Sequence, residues 1–267
     1  MIYKKLSIIT VNLNNTEGLR KTIESVVYQT FTDFEYIIID GGSTDESVEI
    51  IKQYADKITY WVSESDKGIY NAMNKGILQA KGEYCLFLNS GDYLVDENVL
   101  ENMFSLDFKE DIVYGNRINI YENATRKEVK FPDKLKFSFF FKGALPHQAT
   151  FFKKYLFDEI GGYAENYKYA SDWLFYMLAF IKYKSSYRYI GKNIVYFDCT
   201  GISSDVNNRN EMFAEREYIL KKEFPLLYDD YEELIKMRPL FDKRAAKIGK
   251  IILKPYRFIS RLLKNAI

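Results

Sequence analysis

Residues 1–100 of this 267-residue chain alternate short apolar runs with helix-length amphipathic segments, and that alternation leaves few folds open. Leu6-Ser7-Ile8-Ile9-Thr10-Val11 is a β-branched run that reads as a buried strand. Residues 12–15 form a polar loop, after which Leu19, Ile23, Val26 and Val27 recur at helical spacing up to Gln29. Residues 34–39 make a second strand that ends at Asp40-Gly41-Gly42. Ser43-Thr44-Asp45-Glu46 reads as a capping box that opens a second helix, with Val48, Ile51 and Tyr54 facing inward. Residues 58–62 give a third strand, residues 68–81 a helix, and residues 84–88 a fourth strand. This order predicts an α/β fold with a mostly parallel central sheet flanked by helices. Such sheets bind ligands beyond the carboxyl ends of their strands, where Asn12, Asp40, Asp66 and Asp92 all fall.

Beyond Asp92 the pattern loosens. Residues 112–114 and 118–121 read as two short strands, residues 137–141 as an aromatic cluster and residues 148–152 as a strand. Residues 171–183 read as a helix, and residues 187–197 as a strand pair or one long strand. The division expected is a domain over residues 1–204, with halves 1–100 and 101–204, and a charged helical extension over 205–267.

Thirty-eight basic and 37 acidic residues nearly cancel, so nothing in the charge points to nucleic acid. Only Cys85 and Cys199 occur, without disulfide or metal-ligand spacing, which fits a reducing compartment. The amino terminus enters a strand directly, without the apolar core of a signal peptide. The longest apolar stretch, residues 173–181, is too short to span a bilayer. A cytoplasmic protein is expected, or one bound to the inner face of the cell membrane. The 23 Tyr and 20 Phe suit either an aromatic core or stacking surfaces for sugars and bases.

Two segments carry the chemistry: Ser63-Glu64-Ser65-Asp66-Lys67-Gly68-Ile69-Tyr70-Asn71-Ala72-Met73-Asn74-Lys75-Gly76 and Leu86-Phe87-Leu88-Asn89-Ser90-Gly91-Asp92. On a helix Asn71, Asn74 and Lys75 share one polar face, with Ile69, Ala72, Met73, Gly76 and Ile77 on the apolar one. That polar face serves a ligand or simply solvent. Asp40 at a strand end can accept hydrogen bonds from a ribose or a base N–H; it also suits turn chemistry, but Ser43 serves as the cap. Asn89-Ser90-Gly91-Asp92 reads as an oxygen-rich turn at the end of a buried strand. Asp172 precedes an aromatic-rich helix that it or Ser171 could cap. His147, in Leu145-Pro146-His147-Gln148, is the only histidine and would more often be a structural group than a ligand.

These segments, together with Ser7-Ile8-Ile9-Thr10-Val11-Asn12 and Ile39-Asp40-Gly41-Gly42-Ser43-Thr44-Asp45, resemble family 2 glycosyltransferases of the GT-A fold. The similarity is greatest to the bacterial branch that builds extracellular and surface polysaccharides, and it covers roughly residues 5–203. The resemblance makes residues 1–100 the nucleotide-binding half and 101–204 the acceptor side. It implies a metal-dependent, inverting enzyme that moves a sugar from a nucleotide-sugar, a UDP-sugar above all, to a glycan or lipid-linked acceptor. Thr10, Val11, Asn12, Asp40 and Asp66 are then expected around the nucleoside, with Lys67, Gly68, Asn71, Asn74 and Lys75 beside them. Asn89, Ser90, Gly91 and Asp92 stand where the family usually carries Asp-x-Asp, which holds Mg²⁺ or Mn²⁺ against the diphosphate. Asn89 departs from that pattern and leaves Asp92 as the main anionic ligand. Asp172 matches the catalytic base, and relatives place a His-Gln pair like His147-Gln148 facing the active site. Gly201-Ile202-Ser203-Ser204 resembles a loop that closes over the donor in relatives. The Gln-x-x-Arg-Trp motif of processive synthases is absent, which implies one sugar added per acceptor.

Two other readings remain. One is an inactive nucleotide-sugar-binding or scaffold protein. The other is a sugar nucleotidyltransferase, which would need a basic glycine-rich loop that residues 12–16 do not supply. Residues 243–267 hold Lys243, Arg244, Lys247, Lys250, Lys254, Arg257, Arg261 and Lys264 with no acid, interleaved with isoleucine, leucine and phenylalanine. Such a tail suits an anionic membrane surface, or a packed helix with a basic face.

Overall fold

A computed structural model describes residues 4–201 and 206–237. The amino-terminal half runs β1 (Leu6–Asn12), α1 (Thr16–Val27), β2 (Phe34–Asp40), α2 (Ser47–Gln53), β3 (Tyr60–Ser63), α3 (Ile69–Gln79) and β4 (Tyr84–Phe87). β1 pairs in parallel with β2 on one side and β4 on the other, and β3 joins β2 in parallel. Every residue of β1, and all but the first of β2, is buried, as expected for strands covered on both faces. α3 packs so closely on this sheet that a Cβ on Gly76 would stand 2.4 Å from Ile9 Cγ2. Gly82 is crowded by backbone instead: its Cβ would meet the Ser7 backbone nitrogen at 2.5 Å.

The second half is β5 (Tyr93–Leu94), α4 (Val99–Phe104), β6 (Ile112–Ile120), β7 (Arg126–Val129), α5 (Phe137–Lys142), β8 (Thr150–Lys153), α6 (Tyr155–Ile160), α7 (Ser171–Met177) and β9 (Tyr187–Asp198). Its strands extend the same sheet, in the order β3-β2-β1-β4-β8-β6-β9-β5 with β7 on β6. The parallel order holds across the first four strands. β8 then joins β4 antiparallel, β6 joins β8 antiparallel, and β9 runs parallel to β6. α8 (Arg209–Glu223) follows. One compact unit runs to Glu215 and a second from Arg216. Within the second, Lys221 pairs with Glu217 one helical turn away at 2.6 Å.

Several local expectations shift. The two short strands expected around residues 112–121 are one strand, β6, because a bulge at Tyr114–Asn116 carries the chain through Gly115. A side chain at 115 would meet Ile194 Cγ1 and the Lys192 carbonyl, both at 2.6 Å. The strand expected from Gln148 begins at Thr150, after a 3₁₀ turn over His147–Ala149. The helix expected over residues 171–183 is α7 followed by a wider π turn at Leu178–Lys182. The capping box does not form. α2 starts only at Ser47, whose N–H donates to Asp45 Oδ1, while Ser43 turns back onto Asp40. Its buried residues are Ser47, Ile50 and Ile51.

Much of the aromatic load is interior. Phe87, Phe152, Phe157, Tyr163, Phe175 and Tyr176 form a contiguous buried cluster, with Phe157 and Phe175 stacked at 4.5 Å and most other pairs edge-on or tilted. Each such pair adds roughly 0.5–1.5 kcal/mol beyond area burial.

Candidate active site

Asp40 ends β2 and is fully buried, yet both its oxygens are used. Oδ1 accepts from Asn12 Nδ2 at 2.7 Å and from Ser43 Oγ. Oδ2 accepts from Ser63 Oγ at 2.6 Å and from the Ser43 N–H at 2.9 Å. Burial alone would raise its pKa, but these bonds from Ser43, Ser63 and Asn12 outweigh burial and hold it below the ordinary carboxylate range. Asp40 thereby ties together the ends of β1, β2 and β3. The bond from Asn12 leaves Asn12 Oδ1 buried without a partner, an acceptor available to a ligand N–H. Thr10 shares a strand face with Asn12, but its side chain is fully buried and its hydroxyl pairs with Tyr36 at 3.0 Å. Val11 is 5% exposed.

Asp66 lies over Gly41, where a Cβ would come within 3.1 Å of Asp66 Oδ2. Lys75 bridges Asp66 and Glu64. Gly68 caps α3 at φ 118°, a backbone that side chains disfavour, and the Lys67 N–H donates to Asn71 Oδ1 at 3.2 Å. Asn71 and Asn74 turn their amides to Glu165 at 3.0 Å each, and Asn74 also exchanges bonds with the Tyr163 backbone. They pin α3 to the loop before α7. The apolar face of α3 differs by one residue from expectation: Ile69, in the first turn, is 42% exposed, and Tyr70 is the residue turned inward.

The turn after β4 is clamped by three hydrogen bonds to Asn15 and Thr22. Asn15 Nδ2 donates to the Ser90 carbonyl, the Gly91 N–H donates to Thr22 Oγ1, and that hydroxyl donates to the Asp92 carbonyl. Gly91 adopts φ 105°, and a Cβ there would meet Asp198 Oδ2 at 3.1 Å. Asp92 is 4% exposed. Burial lifts its pKa to about 7, against the opposing pull of the Asp198 N–H, His147 and Arg117. Arg117 reaches this corner with its guanidinium 4.1 Å above the Phe197 ring.

Among the described residues no three His, Cys, Asp or Glu side chains form a ligand set for a metal ion. The oxygens present nonetheless fit a hard dication that takes its remaining ligands from water and phosphate. Asn89 Oδ1 is buried without a partner, and the Asp92 carboxylate lacks enough counter-charge to stay ionised at low cost.

Asp172 lies in the first turn of α7. Its Oδ1 accepts from Tyr70 Oη at 3.1 Å and from the Trp173 N–H at 2.8 Å. Its Oδ2 lies 3.3 Å from His147 Nδ1. His147 Nε2 lies 3.4 Å from Asn89 Nδ2. Both side chains keep 17–18% exposure, so a ligand can reach them. Gln148, 1% exposed with neither amide atom paired, leaves two more polar groups in reserve beside His147. The backbone before α7 is held by Glu215, which accepts from the N–H groups of Lys168, Tyr169 and Ala170 at 2.7–2.8 Å.

Tyr70, Arg117, Asp198 and Glu215 were not anticipated. Asp198 offered a signal, as an acid closing a long strand. Tyr70 was one of 23 tyrosines and gave none.

The family model for glycosyl transferase family 2 matches residues 7–164. An uncharacterized glycosyltransferase of Mycobacterium tuberculosis is 34% identical over 178 residues, 65% of this chain and 68% of that one. A PGL/p-HBAD biosynthesis glycosyltransferase of Mycobacterium bovis is 33% identical over 180 residues, again 65% of this chain and 69% of the relative. Two solved structures share the architecture at low identity. Residues 1–349 of Staphylococcus aureus TarS, in complex with UDP-GlcNAc, match with a TM-score of 0.65 at 19% identity, covering 80% of this chain and 65% of that one. The mannosyltransferase PcManGT of Pyrobaculum calidifontis, in complex with GDP-Man and Mn²⁺, matches with 0.63 at 14% identity, covering 96% and 83%.

Proposed function

The chain belongs to glycosyl transferase family 2, with the GT-A fold, and on that premise we propose that it is an inverting enzyme whose base is Asp172. One observation carries the proposal. A single imidazole, that of His147, spans the gap between the turn after β4 and Asp172, at 3.4 and 3.3 Å. The turn expected to face the donor diphosphate and the carboxylate expected to face the acceptor therefore meet in one site.

The donor is a nucleotide-sugar, and a UDP-sugar is our first choice. The structural neighbours' ligands, UDP-GlcNAc and GDP-Man, support the class. Asn12 Oδ1 and Asp66 are the groups assigned to the nucleoside, with Asp40 organising them from below. Lys67 and Gly68 stay on that wall, and Ser90 and Gly91 keep the turn close to the donor. Asn71, Asn74 and Lys75 are assigned to holding α3 in place. Asp92, with Asn89 Oδ1, would hold Mg²⁺ or Mn²⁺, which when bound offsets the charge on the leaving diphosphate.

Asp172 removes the proton from the acceptor hydroxyl as that oxygen attacks the anomeric carbon, and the single displacement inverts the configuration. Tyr70 and the Trp173 N–H fix Oδ1, so the carboxylate approaches the acceptor in one orientation. The acceptor is a glycan or lipid-linked sugar of a surface polymer. Among the described residues no helix is long and apolar enough to cross a membrane. The basic residues 243–267, outside the described residues, are assigned to an anionic membrane surface. Co-sedimentation of the full chain with anionic vesicles, unchanged after their deletion, would refute that role.

The test is a panel of UDP-, GDP- and dTDP-sugars with Mn²⁺, Mg²⁺ or EDTA, with released nucleoside diphosphate measured. Cation-dependent release from one UDP-sugar is expected. Asp172→Asn should lower turnover about 10²- to 10⁴-fold while UDP binding by calorimetry is kept. Full turnover in that variant would remove Asp172 from the chemistry.

A further inference from the structure

The aromatic segment at residues 137–141 borders a cavity of about 340 Å³, within the roughly 300–1,000 Å³ of small-molecule sites. Leu135, Phe137, Phe140, Phe180 and Ile181 give it an apolar lining. Phe180 and Ile181 reach it from the π turn after α7. The chain then passes through Lys184 at φ 53°, a left-handed backbone that lysine rarely adopts. Irregular backbone of this kind concentrates at sites of function.

Three polar groups interrupt the lining. Ser185 is 9% exposed, and its hydroxyl oxygen is buried without a hydrogen-bond partner. An unpaired buried hydroxyl is costly, and a ligand acceptor would relieve it. Lys136 and Lys184 also border the cavity, and both are exposed. Among the described residues no acid lines the cavity beside them. An apolar slot with two ammonium groups and a hydroxyl donor suits a chain that ends in phosphate. The chain leaves water, and the phosphate takes the donors.

We infer that this cavity binds an alkyl phosphate, and that its natural ligand is the lipid-phosphate anchor of the acceptor. The anchor role rests on the acceptor being lipid-linked and on Asp172 being the base. Position favours it. The Phe140 ring lies 5.5 Å from that of Phe180 and 6.4 Å from that of Tyr176. The Phe140 carbonyl accepts from Trp173 Nε1 at 2.8 Å. Trp173 directly follows Asp172 on α7, so the cavity wall is one hydrogen bond from the residue beside the base. An anchor held there tethers its sugar to the element that carries Asp172. Attack on the donor then gains the advantage of a bound over a free reactant.

Calorimetry on the full chain, with each amphiphile below its micellar concentration, tests the site. Dodecyl phosphate should bind. Inorganic phosphate and dodecyl maltoside, which each carry one half of that ligand, should not. Lys136→Gln and Lys184→Gln change exposed side chains and should fold normally. Each should weaken dodecyl phosphate about tenfold, the effect of one charge-assisted contact. Absent binding, equal binding of dodecyl maltoside, or affinity unmoved by both lysine variants would overturn the inference. Equal affinity for soluble dihexanoylphosphatidylglycerol would show a site for bilayer lipid and overturn the anchor role. The donor panel separates this inference from the enzyme reading, because nucleoside diphosphate release should be unchanged in the lysine variants. An active panel without dodecyl phosphate binding sinks only the cavity. Full turnover in Asp172→Asn with dodecyl phosphate bound removes the base, and with it the anchor role, but leaves the binding site standing.

Discussion

Asp92→Asn should make the cation-free protein more stable and less active. Asp92 is 4% exposed, and burial raises its pKa from 3.8 to about 7. The folded state thus favours the protonated acid. Its contribution to stability is fully present below the unfolded pKa and is lost as the pH rises through about 7. Three pKa units at 1.36 kcal/mol each put the loss at about 4 kcal/mol near pH 8, with about 1.5 kcal/mol of it incurred by pH 5. An asparagine never ionises and keeps an oxygen for the Asp198 N–H. Its advantage over wild type should therefore grow by about 2–3 kcal/mol between pH 5 and pH 8. Urea unfolding of both proteins in EDTA at the two pH values measures this double difference, which cancels any pH-independent effect of the substitution. Mn²⁺ should then stabilise the wild type at pH 8 and leave the variant unmoved. An advantage that stays constant with pH, or a variant less stable at pH 8 than at pH 5 relative to wild type, would refute the reasoning.

Asp40→Ala should cost about 2–4 kcal/mol by chemical denaturation, because it strands the buried donors of Asn12, Ser43 and Ser63. Its lowered pKa also means that the wild-type advantage is present above the ordinary carboxylate pKa and lost as the pH falls through the folded value. Gly82→Ala should cost about 1–3 kcal/mol, since the obstructing atoms at 2.5 and 2.6 Å belong to the Ser7 and Leu6 backbone; a neutral melt would show that the loop yields. Glu215→Ala should lower kcat more than it lowers the melting temperature, because it frees three N–H groups just before α7; an unchanged kcat would show that Asp172 is held without it.

The first four strands were legible because burial on both faces demands unbroken apolar runs, and residues 6–11 and 34–39 have nothing else to be. Helix phase was less secure. Ile69 and Tyr70 are adjacent and both apolar in bulk, and the choice between them was made by Asp172, 102 residues away. Ser43 failed as a cap for the same kind of reason. Asp45 could serve the Ser47 N–H locally, while the Asp40 carboxylate needed donors. Asp92 and Asp172 were legible as acids placed where strands end and helices begin. Their partners were not, because Asp198, Arg117 and Glu215 reach them only through the fold. The assignment of Asn71 and Asn74 to the donor read the helix correctly as having a polar face, but that face meets Glu165.

Glu215 fastens a turn that lies far behind it in the sequence. The strands β1 to β4 of the amino-terminal half are all complete by Phe87. The N–H groups of Lys168, Tyr169 and Ala170, just before α7, take their acceptor from a residue made 45 to 47 positions later. A chain that stopped short of Glu215 would contain all four of those strands and Asp172 itself, but not that acceptor. In such a truncated product the three N–H groups before α7 would have to turn to water.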